Sequence, residues 1–207
     1  YTTSGNLFGM GGRTASTTTG ILIDGNRYEA LKRFVYDRQP DGDAGLDTRF
    51  DVWFQSSSEY SNYDFTKFLE PAKRQGLGNA YYPEIPIMRL SEIYYIACEA
   101  QIGKDNALAL QYLNDVRDNR NLSLIQTVPD DATLLEYLVR EMRKDFIGDG
   151  RTFLMHKRLF YDIYTVRGET VPASDNIFVI PIPDDEYEFS GIEKPGNTTD
   201  NNQSELL

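Results

Sequence analysis

Leu90-Ser91-Glu92-Ile93-Tyr94-Tyr95-Ile96-Ala97-Cys98-Glu99-Ala100-Gln101-Ile102-Gly103 is the stretch from which the fold is read. Leu90, Ile93, Tyr94, Ala97 and Cys98 recur at helical spacing, which places them on one face of a helix. Pro86 marks its upstream boundary and Gly103 closes it. Working outward, Asp105 caps a second helix whose apolar stripe is Ala109, Tyr112, Leu113 and Val116. The short link between the two makes them antiparallel neighbours. Pro129-Asp130-Asp131 opens a third helix with the stripe Leu135, Leu138, Val139, Met142 and Phe146, stopping at Gly148-Asp149-Gly150. A fourth amphipathic stretch runs from Arg151 to about Tyr164 and holds Phe153, Leu154, Phe160 and Tyr161. Two consecutive helix pairs of this kind are the unit of tetratricopeptide-type stacks.

Upstream the pattern is weaker. Tyr1 to Gly20 is polar and rich in Ser, Thr and Gly, without the basic and apolar regions of a signal peptide. Ile21-Leu22-Ile23 reads as a short strand ending in a turn at Asp24-Gly25-Asn26, and Tyr28 to Tyr36 as helical. Gln39 to Asp43 breaks it, Phe50 to Gln55 reads as a strand, and Ser56 to Tyr63 as a polar loop. Beyond the helices, Ile177 to Pro183 reads as extended, and the tail from Gly191 as loop. The expected fold class is therefore mainly α: tetratricopeptide-like helical hairpins with irregular, loop-rich segments and a few short strands. The expected division is a loop-rich segment at 1–84 and a helical-hairpin portion at 85–207.

Of 207 residues, 40% are hydrophobic and 26% charged, which is the composition of a globular chain with a core. Thirty-two acidic residues against 21 basic ones give a net charge of −11, so a phosphate backbone is repelled and no nucleic-acid partner is expected. One cysteine, Cys98, and one histidine, His156, leave no basis for a multi-cysteine or multi-imidazole metal site. No metal and no cofactor are expected. No apolar run approaches the roughly 20 residues of a membrane helix.

Four passages in order resemble the SusD/RagB family. Tyr82-Pro83-Glu84-Ile85-Pro86-Ile87-Met88-Arg89-Leu90-Ser91-Glu92-Ile93-Tyr94-Tyr95-Ile96-Ala97-Cys98-Glu99-Ala100 is similar to the family's P-x-x-R-L-A-E-x-Y-L-I-x-A-E-A helix. Ala107 followed by Tyr112-Leu113-Asn114-Asp115-Val116-Arg117 resembles A-x-x-x-L-N-x-V-R. Val139 to Gly150 resembles E-R-x-x-E-F-x-x-E-G, with Asp145 and Asp149 at the later acidic positions. Phe178-Val179-Ile180-Pro181-Ile182-Pro183-Asp184-Asp185-Glu186 resembles the closing x-P-I-P-x-x-E. After Gly150 the family's H-R-W-F-D-L-K-R is reduced to a closing Lys157-Arg158, which marks a divergent branch.

The resemblance implies a non-catalytic oligosaccharide-binding lipoprotein of the outer-membrane surface, partnering a TonB-dependent, SusC-like transporter. Its N-terminal lipid lies outside this chain, which is expected to be the C-terminal portion of a longer protein. Within the motifs, Arg89, Glu92, Glu99, Arg117, Glu141 and Arg143 are expected to form structural ion pairs between packed helices, Cys98 to fill core, and His156 to pack without a catalytic role.

Sugar binding asks for flat aromatic rings under pyranose C–H faces, with polar groups at the rim. Trp53, Tyr60 and Tyr63 with Gln55, Asn62 and Asp64 provide that mixture, so Trp53, Tyr60, Tyr63, Asn62 and Asp64 are the candidate ligand-binding residues. This comes from composition, not from a motif match. Trp53 reads equally as core, and Tyr81-Tyr82 as packing at a helix entry. Two competing readings remain. One is a tetratricopeptide-like protein-interaction module without a sugar site. The other is a carbohydrate-active enzyme, which needs two carboxylates facing across a cleft.

Overall fold

The computed structural model describes residues 21–36, 47–56, 63–67, 87–180 and 182–189. The chain divides into a unit spanning Tyr1–Pro172 and a second spanning Ala173–Leu207. The boundary expected near residue 84 lies outside the described residues, as do Gln39 to Asp43, Tyr81-Tyr82 and the tail from Gly191. Among the described residues no helix is long and apolar enough to cross a membrane.

In the first unit, β1 (Ile21–Ile23) leads into α1 (Gly25–Leu31), which continues as a π-helical turn at Lys32–Tyr36. The turn expected at Asp24-Gly25-Asn26 is instead a helix start, because the Asp24 carboxylate accepts from Arg27 N at 3.1 Å and caps α1. Then come α2 (Thr48–Trp53), β2 (Phe54–Ser56) and β3 (Tyr63–Phe65). The strand expected over Phe50 to Gln55 is mostly α2, since Asp47 caps Arg49 N at 3.0 Å and starts a helix before Phe50 is reached. The three strands form an antiparallel sheet of order β1-β3-β2. Against it, Leu31, Val35, Tyr36, Phe50, Phe54, Phe65 and Ile147 close a largely aromatic core.

The hairpins stand as read, except that the fourth helix, expected to reach about Tyr164, ends at Leu159, where Phe160 turns left-handed at φ +48°. They are α3 (Leu90–Gln101) with α4 (Asn106–Asp118), and α5 (Asp131–Asp145) with α6 (Arg151–Leu159). Gly103, at φ +77°, turns the chain between α3 and α4, a conformation that an L side chain resists. Asp105 caps α4 through Leu108 N at 3.0 Å, and Asp130 caps α5 through Thr133 N at 2.9 Å. Cys98, Ala109, Leu113, Leu134, Leu138 and Val139 are fully buried in one core, each large side chain contributing about 2 kcal/mol.

Two stripes are rotated from expectation. In α3, Leu90 and Ile93 are exposed, while Tyr95 and Cys98 are buried. In α6, Phe153 and Leu154 are exposed, as is Phe160 just beyond the helix, while Met155 and His156 are buried. Both helices are apolar on more than one face, so periodicity alone leaves the inward side open. A short hairpin, β4 (Ile163–Tyr164) with β5 (Thr170–Val171), ends this unit.

In the second unit, α7 (Asp175–Phe178) and α8 (Asp184–Phe189) flank the prolines. The extended reading from Ile177 is corrected at its start. Ser174 O accepts from Ile177 N and Phe178 N at 3.0 and 3.1 Å and winds both residues into α7.

Candidate functional site

The sequence candidates fall on the β2–β3 hairpin and the helix that feeds it. Tyr63 is not in a loop. It opens β3, opposite Ile23 on one side and Ser56 on the other. Directly opposed residues share a face, so the Ser56 side chain stands about 5 Å from that of Tyr63 at Cβ. The half-buried Tyr63 ring stacks on Tyr28 with centroids 3.5 Å apart and planes at 4°. Tyr28 in turn packs on Phe50 at 4.9 Å and Phe54 at 6.5 Å, so among the described rings Tyr63 ends an aromatic column rooted in the core.

The other candidates are placed differently. Asp64 lies opposite Gln55 and, by strand alternation, on the other sheet face from Tyr63. Trp53, half-buried, ends α2, and the Lys67 ammonium sits 4.6 Å from its ring centroid, which occupies one indole face. Tyr60 and Asn62 lie outside the described residues. Thus the structure brings Tyr63 together with Ser56 and Tyr28, and separates Tyr63 from Asp64. The strand register was the missing signal, since it becomes visible only once Ile23 and Ser56 are known to flank Tyr63.

Between α2 and the helical hairpins lies a buried ionic hub. Arg49 Nη2 reaches Asp47 Oδ2 at 2.6 Å and Glu141 Oε2 at 2.7 Å, and Nη1 reaches Asp145 Oδ1 at 2.9 Å. Glu141 also receives Lys144 at 2.7 Å and Arg117 at 3.1 Å, while Tyr95 Oη donates to Asp145 at 2.6 Å. Burial alone raises a carboxyl pKa. Here Lys144, Arg49 and Arg117 overcome it and hold Glu141 well below the usual range, and Arg49, Arg120 and Tyr95 do the same for Asp145. Two carboxylates so firmly ionised are poor proton donors, and both are enclosed by protein. Their arrangement suits architecture rather than general acid catalysis. The structural ion pairs expected of these residues are found with these partners: Arg117 with Glu141, Arg89 with Asp149, Glu92 with Arg151 and Glu99 with Arg158. Arg143 instead donates to Tyr164 O at 2.7 Å.

The remaining reactive side chains are packed. Burial pushes the Cys98 thiol up to about 12, which suppresses the thiolate. Burial also lowers the His156 imidazole below its ordinary value, and its Nδ1 lies 3.3 Å from Tyr161 O. Among the described residues no three His, Cys, Asp or Glu side chains gather to hold a metal ion. A groove of about 500 Å³ runs between α3 and α6, floored by Tyr95, Met142 and Phe146 and crossed by the Glu92–Arg151 and Glu99–Arg158 pairs.

A family model for the SusD family matches residues 18–203. Among curated proteins none matches. A solved SusD-like carbohydrate binding protein from Bacteroides vulgatus is similar at 19% identity and a TM-score of 0.55, over 88% of this chain and 45% of that one. A SusD superfamily protein from Bacteroides thetaiotaomicron is similar at 21% identity and a TM-score of 0.54, over 83% of this chain and 39% of that one. At such identities the likeness is one of fold, and this chain spans less than half the length of either structure.

Proposed function

Because the chain belongs to the SusD family, we propose that it takes part in non-catalytic binding of oligosaccharides at the cell surface, with the outer face of Tyr63 as a stacking platform and Ser56 at its rim. The observation that carries the site is the Tyr28–Tyr63 stack. A ring already packed on one face loses little freedom when a pyranose packs on the other, which is the preorganisation a weak surface site needs. Delivery of the bound glycan to a TonB-dependent transporter, and anchorage in the outer membrane through an N-terminal lipid, complete the reading. Trp53, Tyr60, Asn62 and Asp64 remain candidate contacts from their nearness in sequence to Tyr63.

The test is calorimetry on the intact gene product with maltohexaose, cellohexaose, xylohexaose, laminarihexaose and mannohexaose, with reducing-end release followed in parallel. Binding without release is expected, and Tyr63→Ala should weaken it about tenfold, or ~1.4 kcal/mol. Unchanged affinity in Tyr63→Ala removes this site, and release of reducing ends makes the protein an enzyme.

One observation favours the second reading, a helical-hairpin module for protein partners. Leu90, Ile93 and Ile96 on α3 and Leu154 on α6 are exposed large apolar side chains. A panel without any binder would move the reading there.

A further inference from the structure

We infer that Lys67 is a positioning residue for the Tyr63 surface: it bolts both ends of the β2–β3 hairpin to the turn after α5 and so fixes the platform without touching ligand. The inference rests on the sugar-binding reading of Tyr63. Lys67 lies two residues beyond β3, and Trp53 immediately precedes β2, so the two mark the outgoing and incoming ends of the hairpin. The Lys67 ammonium covers the Trp53 ring at 4.6 Å, which joins those ends to each other. It also pairs with Asp149 Oδ1 at 3.0 Å and donates to Ile147 O at 2.8 Å and to Asp145 O, which joins both ends to the helical hairpins. Thr66 closes the same mouth, with its N donating to Trp53 O at 2.8 Å and its Oγ1 to Val52 O at 2.9 Å. Ser56 and Tyr63 are the inner ends of the same two strands, so a shift at the base is carried to both.

The charged groups that face Lys67 are Asp149, Arg89, which shares Asp149, and the Asp145 carboxylate. Burial lowers the Lys67 pKa from 10.5 to about 8 against the pull of Asp149. The folded value lies below the unfolded one, so the proton is held less tightly in the fold. The buried charge therefore costs stability below about pH 8, a cost relieved as pH rises toward 10.5.

Trp53, the single tryptophan of the chain, reports on the tie. Its emission in the ligand-free protein should change in a step near pH 8, where Lys67 loses its proton, and Lys67→Met should abolish the step. Affinity for whichever hexaose of the panel binds should weaken about tenfold in Lys67→Met, with far-UV circular dichroism confirming the fold, and wild-type affinity should fall over the same pH interval. Should Lys67→Met fail to fold, the wild-type emission and affinity titrations decide alone. The absence of an emission step overturns the inference, as does full affinity in Lys67→Met where Tyr63→Ala has lost it. If Tyr63→Ala leaves affinity intact, the site reading falls and takes the positioning role with it, while an emission step at pH 8 would still mark a purely structural tie.

Discussion

The helical hairpins from Leu90 to Leu159 and the strand-bearing segment from Ile21 to Lys67 close their cores by different means. The hairpins pack aliphatic stripes of neighbours in sequence, with Asp105 and Asp130 capping their own helices. The strand segment has a three-stranded sheet of three-residue strands and a largely aromatic core that Ile147 of the helical region helps to close. It is held from outside: Arg49 reaches Glu141 and Asp145, Tyr36 Oη donates to Lys144 O at 3.1 Å, and Lys67 reaches Asp149. Local packing supports one region, and long-range charge pairs, together with Ile147 in the aromatic core, attach the other to it. The region carrying the candidate site is the attached one.

The largest expected break in that contrast is Arg49→Met. It leaves Asp47, Glu141 and Asp145 facing one another with one fewer cation, and removing one member of a buried ion group costs about 3–5 kcal/mol. Urea unfolding followed by Trp53 emission should move to a much lower midpoint, while the far-UV helical signal should lag behind it. Coincident loss of both signals at an unchanged midpoint would show that the hub is not the attachment.

Acid titration sharpens the same contrast with a smaller effect. Glu141 and Asp145 are held below their ordinary values by the cations around them, so the unfolded chain binds protons first as pH falls. Their stabilising contribution is complete above the unfolded value near 4.5 for Glu141 and is lost progressively below it, by up to about 1.4 kcal/mol per pH unit for each group. Unfolding free energy should therefore drop steeply below about pH 4.5. Glu141→Gln should flatten that slope, as measured by urea midpoints from pH 6 to pH 3. An equally steep slope in the variant would place the acid sensitivity elsewhere.

The same division explains what the sequence revealed. The helices of α4 and α5 were legible because Leu113, Val116, Leu138 and Met142 repeat at a period that the backbone itself imposes. Arg117 and Glu141 are each legible as structural ion-pair residues, but that they pair with one another is visible only in the structure. The strand segment was not legible in this way. Phe50 and Phe54 carry a strand-like composition, yet the first lies in a helix, because a single carboxylate at Asp47 decides where α2 begins. Tyr63 stands out for its chemistry, but Ser56 joins it only through strand register and Tyr28 only through the packing of α1, neither of which local spacing encodes.

The smallest effect separates buried pairs from exposed ones within the hairpins themselves. Glu99 and Arg158 join α3 to α6 through two hydrogen bonds, one of them at 2.7 Å, as regular a pairing as any in the hub. Their side chains, however, are 26% and 55% exposed, so water already solvates both charges and screens their attraction. Neither loses much when the other is removed, because Arg158 is more than half exposed and Glu99 keeps part of its contact with solvent. A double-mutant cycle with Glu99→Gln and Arg158→Met should give a coupling energy of about 0.5 kcal/mol, shrinking further in 0.5 M salt. A coupling above about 2 kcal/mol would mean that pairing geometry rather than burial sets the strength of these contacts. The hub's hold on the site-bearing segment would then need a different explanation.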